Sequence, residues 1–136
     1  MNKIFLGGTR NETTWRDSLI KMLDSSLSYY NPVVDDWTPD CQVEEIKQKE
    51  SECNIHFYCI TSAMTGVFSI AEAVDSVHNK SKRTILHVIP EGFSAGQLKS
   101  LAAVVDLVNS RGGIAYIDPE LTRSARGLNN CFSKYE

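Results

Sequence analysis

The sequence predicts one α/β domain, a five-stranded parallel sheet with helices on both faces. Three observations predict it. Short apolar runs alternate with segments of helical periodicity, and the links between them are short. Residues 55–60 and 84–89 are almost continuously apolar, as buried strands of a parallel sheet are. The chain has 136 residues, enough for one domain with a sizeable core.

The elements follow in order. Residues 3–6 form a short apolar strand that Gly7-Gly8-Thr9 closes. Thr13 or Thr14 can cap a helix whose Trp15, Leu19, Met22 and Leu23 recur at helical spacing. Residues 29–34 are β-prone, and Pro32 marks an edge strand or one that ends early. Residues 35–40 form a polar turn, and 43–53 are charged and helical in composition. After the strand at 55–60, a loop spans 61–66 and a helix spans 69–77. A polar turn at 78–82 leads to the strand at 84–89, which Pro90-Glu91-Gly92 stops. Residues 95–109 carry Leu98, Leu101, Ala102, Val105 and Val108 on one helical face, Gly112-Gly113 end it, and 114–117 form the last strand. The single domain thus has a core over about 3–118 and a weakly patterned C-terminal arm over 119–136, docked or frayed.

A net charge of −3 argues against a nucleic-acid polymer or an anionic membrane surface as partner, since both want a basic face. It is compatible with one nucleotide held by a few local donors. No apolar run reaches membrane-spanning length, and the run at 4–6 is far too short for a signal peptide, so a cytoplasmic location is expected. Cys41, Cys53, Cys59 and Cys131 form no CxxC pair and no zinc spacing. His56 and His87 lie in buried-looking strands and His78 in a turn, which makes no metal site. Neither a metal nor a cofactor is expected.

Five strands suit the flavodoxin-like order 2-1-3-4-5, a three-layer sandwich. Ligands of such sheets sit outside the carboxyl ends of the strands, near the topological switch point. The unusual residues fall largely in those loops. Gly7-Gly8-Thr9 allows close backbone approach to a ligand, or is simply a tight turn; it is not a dinucleotide fingerprint. Asp35 and Asp36 can hold a sugar hydroxyl or donate a proton, with the Trp37 indole stacking on a base; alternatively they form an Asx turn. Glu72 is the sharpest case. At a helix start after Thr65-Gly66, its carboxylate is placed to act as a nucleophile in retaining glycosyl transfer, kept ionised by the positive helix end. The competing reading is a capping box, Ser69 as N-cap and Glu72 folded back to its amide. One rotamer cannot do both. Residues 44–52 have mixed charge and read as a solvated face from which one carboxylate could reach the site.

Four blocks carry a resemblance: Phe5-Leu6-Gly7-Gly8-Thr9, Thr14-Trp15-Arg16, Tyr30-Asn31-Pro32-Val33-Val34-Asp35-Asp36-Trp37, and Met64-Thr65-Gly66-Val67-Phe68-Ser69-Ile70-Ala71-Glu72. In this order and at these strand ends, the chain resembles the nucleoside 2-deoxyribosyltransferase-like family over about residues 3–118. The resemblance implies a flavodoxin-like fold and exchange of nucleobases on a deoxyribose through a covalent intermediate on a glutamate. Glu72 matches that glutamate, and Asp35 and Asp36 match an acidic pair bordering the sugar and base. Phe5, Gly7, Gly8, Thr9, Trp37, Gly66 and Ser69 are then expected at the substrate. Glu44 or Glu45 corresponds to a carboxylate on the helix before the third strand. Phe5 stands where members with tyrosine hydrogen-bond the glutamate, which phenylalanine cannot do. Residues 62–66 also lack the aspartate that protonates the base in better-characterised transferases. Many members complete each pocket from a neighbouring subunit, so a homo-oligomer is expected, with Asn109 or the tail at 129–136 reaching across. Three readings follow: a transferase, a hydrolase of nucleoside 5′-monophosphates with Arg10 or Arg16 at the phosphate, and a non-catalytic nucleotide binder.

Overall fold

The computed structural model describes residues 2–10, 13–34, 36–130 and 132. Its strands are β1 (Lys3–Gly8), β2 (Ser28–Tyr30), β3 (Ile55–Ile60), β4 (Arg83–Val88) and β5 (Ile114–Ile117). All pair in parallel, in the order β2-β1-β3-β4-β5. The helices are α1 (Trp15–Met22), α2 (Pro39–Lys47), α3 (Phe68–Val77), α4 (Ala95–Ser110) and α5 (Thr122–Asn129), and a π-helical turn, Gln48–Glu52, continues α2. This is the three-layer α/β sandwich that the alternation of strands and helices predicts. Among the described residues, no helix is long and apolar enough to cross a membrane.

Strand alternation divides the core in two. Ile4, Leu6, Ile55, Phe57, Cys59 and Ile85 face α1 and α5, against Trp15, Leu19, Ala125 and Leu128. Phe5, Tyr58, Ile60, Leu86 and Val88 face α3 and α4, against Ala73, Val77, Leu101, Val105 and Val108. The six residues of β3 are all buried, because helices cover both its faces.

Three expected elements differ. β2 ends at Tyr30, because Pro32 has no N–H for the ladder and Val33 and Val34 are exposed. α2 starts at Pro39, four residues before the charged run, with Thr38 as N-cap and proline in its first turn, where a missing N–H costs nothing. The C-terminal arm is not an appendage: α5 buries Ala125 and Leu128 and seats Phe132, which is 2% exposed. Gly127 hid this helix in the sequence. A Cβ there would stand 2.3 Å from the Phe132 ring, so the glycine that weakens the helical pattern makes room for the residue that anchors it. Asn129 ties the end of α5 to the end of α1, accepting from Asp24 N at 2.8 Å and donating to Met22 O at 3.0 Å.

Candidate functional site

The carboxyl end of β1 is held by side chains buried beside it. Arg16 donates to the carbonyls of Leu6, Gly8 and Thr9 at 3.0, 3.2 and 2.7 Å, and Trp15 Nε1 donates to Thr9 O at 2.9 Å. The guanidinium lies 4.4 Å from the Trp15 ring centroid, and burial lowers its pKa to about 10. Arg16 is therefore committed to the strand end and does not offer its charge to a phosphate. The two glycines are likewise explained from within. A Cβ on Gly7 would lie 2.6 Å from the Tyr58 ring. Gly8 has φ 116°, and a Cβ there would be 2.1 Å from Cys59 O. Thr9 N donates to Cys59 O at 2.9 Å, and Thr9 Oγ1 accepts from Thr61 N at 3.0 Å.

Just outside this strand end lies a cavity of about 340 Å³, bounded by Gly8, Thr9 and Arg10, by Glu45 of α2, and by the β3–α3 loop with the start of α3. Gly66, Ser69 and Glu72 line it. At Gly66 a Cβ would meet open space, so this glycine leaves the wall recessed. The capping-box reading of Glu72 fails on register. Val67 is the N-cap and makes no side-chain cap, so Ser69 is the second helical residue and Glu72 the fifth. Glu72 thus stands beyond the first turn, where the helix end acts most strongly. Its charge partner comes from elsewhere: Lys49 Nζ, on the π turn, is 2.8 Å from Glu72 Oε2. No hydrogen bond to Oε1 is made by the described residues. Glu45, the second carboxylate of the cavity, pairs with Arg10 Nη2 at 2.7 Å.

The other expected site residues lie elsewhere. Asp35 lies outside the described residues. Asp36 is exposed, and its carbonyl accepts from Cys41 Sγ at 3.8 Å; Trp37 is 55% exposed; neither lines the cavity. Phe5 does not line the cavity either. It is buried below it, stacked on Tyr30, with Lys49 Nζ 5.9 Å above its ring centroid. Gly7 is also off the lining. The residues brought together are therefore Gly8, Thr9, Gly66, Ser69 and Glu72, with Arg10 and Glu45, each expected as one of two alternatives, and with Lys49, which the sequence did not offer and which pairs with Glu72. Lys49 was invisible as a site residue. In a run as charged as 44–52 its periodicity says only that some face is solvated, and the π turn that rotates it inward has no sequence signature.

A larger cavity, about 490 Å³, lies at the opposite, amino edge among Asn54, Lys80, Lys82 and Arg83. Its lysines are spent on the backbone: Lys82 Nζ donates to Glu50 O and Cys53 O at 2.8 and 2.9 Å, and Lys80 Nζ to Val77 O at 3.0 Å. It is lined by no carboxylate. Size aside, the carboxylates and their ion pairs are at the carboxyl edge, where open α/β sheets bind ligands.

A family model described as nucleoside 2-deoxyribosyltransferase like matches residues 1–107. No curated protein matches the chain.

Proposed function

The chain belongs to the nucleoside 2-deoxyribosyltransferase-like family, and from that premise we propose that it breaks the N-glycosidic bond of a (deoxy)nucleoside and passes the sugar to another base. The observation that carries this reading is that the Glu72 carboxylate lines the carboxyl-edge cavity, paired with Lys49, instead of capping its own helix. In the first step a Glu72 oxygen attacks C1′. The C1′–N bond breaks, its electron pair leaves with the base, and the base takes up a proton. In the second step a ring nitrogen of the incoming base attacks C1′, the ester bond to Glu72 breaks, and that nitrogen releases its proton. Asp35, Asp36 or Glu45 supplies the proton to the leaving base; of these Glu45 lines the cavity and Asp36 does not. Asp35→Asn, Asp36→Asn and Glu45→Gln variants, compared on substrates with good and poor leaving bases, separate these three sources: loss confined to the poor leaving base marks the acid.

The test of the nucleophile is mass spectrometry after incubation with a 2-fluoro-2-deoxy nucleoside, a sugar that slows breakdown of the intermediate. The expected result is a mass increase located on Glu72 and absent from Glu72→Gln. The same substitution is expected to lower base exchange by roughly 10³-fold or more while nucleoside binding persists. Saturable binding by wild type with neither adduct nor turnover would overturn catalysis and leave a nucleotide-binding protein.

One observation favours a second reading, hydrolysis of a nucleoside 5′-monophosphate. Arg10 lines the cavity beside Gly8 and Thr9, so a phosphate could take its guanidinium from Glu45. Release of base in water from the monophosphate, without an acceptor base, favours the hydrolase. Exchange that requires an acceptor favours the transferase. What supports an assembly of several copies is apolar surface near the site: Phe68 on the cavity wall is 73% exposed, and Val43 and Ile46 on α2 are 66% and 50% exposed.

A further inference from the structure

We infer that His56 is a positioning residue for Glu72, acting through the backbone of the π turn to aim the Lys49 ammonium. It rests on the proposed role of Glu72. His56 lies on β3, is 3% exposed, and makes two hydrogen bonds through its ring. Nε2 lies 2.7 Å from Lys49 O, and Nδ1 lies 2.8 Å from Ser76 Oγ. A carbonyl oxygen only accepts, so Nε2 carries a proton. Burial lowers the imidazole pKa to about 4, so the ring is neutral at ordinary pH and Nδ1 accepts from the Ser76 hydroxyl. Ser76 Oγ is in turn 2.7 Å from Thr84 Oγ1, which then donates to it. The direction of every proton is thereby fixed: Thr84 to Ser76, Ser76 to His56, His56 to the Lys49 carbonyl.

What this relay grips matters more than the relay itself. Lys49 belongs to the π-helical turn Gln48–Glu52, whose closing bond runs from Cys53 N to Gln48 O at 2.7 Å. A π turn is wider than an α turn and has poorer internal support, and it recurs at functional sites. Here the support is external. The Lys49 carbonyl is held by His56, and Lys82 Nζ holds the carbonyls of Glu50 and Cys53. With its backbone pinned, the Lys49 side chain crosses the Phe5 ring and ends on Glu72 Oε2. Packing alone does not require so polar an arrangement. Phe5 and Tyr58 flank the imidazole with ring centroids at 5.9 and 6.4 Å, and an apolar side chain at position 56 would suit them. The hydrogen-bonding ring at this point serves the turn, and the turn serves the carboxylate.

The experiment compares wild type, Lys49→Met, His56→Phe, Ser76→Ala and the Lys49→Met/His56→Phe pair. Two readouts are used: the rate of adduct formation with the 2-fluoro-2-deoxy nucleoside, and the Lys49–Glu72 separation in crystal structures of the variants. The expected result is that Lys49→Met and His56→Phe each slow adduct formation by about 10- to 100-fold, with nucleoside affinity nearly unchanged. The double variant should be no slower than Lys49→Met alone, because both changes remove one interaction. The ion pair should be open in His56→Phe. A His56→Phe protein that keeps the ion pair closed, reacts at the wild-type rate, or multiplies the defect of Lys49→Met overturns the inference. Should His56→Phe fail to fold, Ser76→Ala, which removes one hydroxyl, carries the same expectations at smaller size. If wild type forms no adduct, the reading of Glu72 falls, and the ion-pair geometry of the variants still decides what His56 does.

Discussion

On β3, His56 bonds Ser76 Oγ through Nδ1 and the carbonyl of Lys49 through Nε2. On β4, His87 bonds Ser124 Oγ through Nδ1, at 2.5 Å, and the carbonyl of Asp118 through Nε2, at 2.7 Å. Both rings are buried, both must donate from Nε2, and burial lowers the pKa of each. The difference lies at the far end of the wiring. His56 holds the carbonyl of Lys49, whose own side chain ends on Glu72 at the cavity. His87 holds the exit of β5 and, with the Tyr116 hydroxyl on Ser124, docks α5 against the sheet. A buried histidine paired to serine and a carbonyl is thus a general clamp, and its function is decided by what the clamped backbone carries.

The comparison can be broken or sharpened in four ways. The largest expected effect is with pH. Each folded-state pKa lies below that of the unfolded chain, so as pH falls the unfolded state takes up protons first. Stability is complete above about 6.5, the unperturbed histidine value, and is lost as pH drops toward about 4 for His56. His56 alone contributes up to about 3 kcal/mol to that loss, and His87 adds to it with the same sign. Urea denaturation across this range checks it, with a flat profile excluding the shared design. Next, His87→Ala should cost roughly 2–3 kcal/mol through the abandoned carbonyl and the lost packing, with adduct formation per folded molecule unchanged. A slowed adduct would erase the contrast with His56. Third, Ser124→Ala should cost about 1 kcal/mol in thermal or chemical unfolding and nothing in rate, whereas Ser76→Ala slows the reaction. The smallest effect is at Tyr58, whose buried hydroxyl has no hydrogen-bond partner among the described residues. Tyr58→Phe should leave stability unchanged or raise it by about 1 kcal/mol, read as a small rise in Tm.

The candidate site was only partly legible in the sequence. Gly8, Thr9, Gly66, Ser69 and Glu72 follow from the rule that open parallel sheets bind at their carboxyl edge, and all five line the cavity. Gly7 and Phe5 follow from the same rule, yet Phe5 is buried under the α3 layer and a Cβ on Gly7 would meet the Tyr58 ring, so neither lines the cavity. Arg16, a phosphate ligand in the hydrolase reading, is consumed by three carbonyls at the end of β1.

Local pattern by itself determined a parallel five-stranded sheet and four of the helices, and the strand order followed from the fold such an alternation suits. A strand buried on both faces must be apolar throughout, and a covering helix must show its stripe. It also put a carboxylate on α3, though nearer the helix start than the fifth position where Glu72 stands. The tertiary structure alone decided that this carboxylate faces a cavity, that its partner is Lys49, and that α5 belongs to the core. Those outcomes depend on helix register at the level of one residue, on a π turn braced from a neighbouring strand, and on a glycine fitted to a ring five residues away. None of these contacts is between residues whose spacing in the chain leaves a period to read.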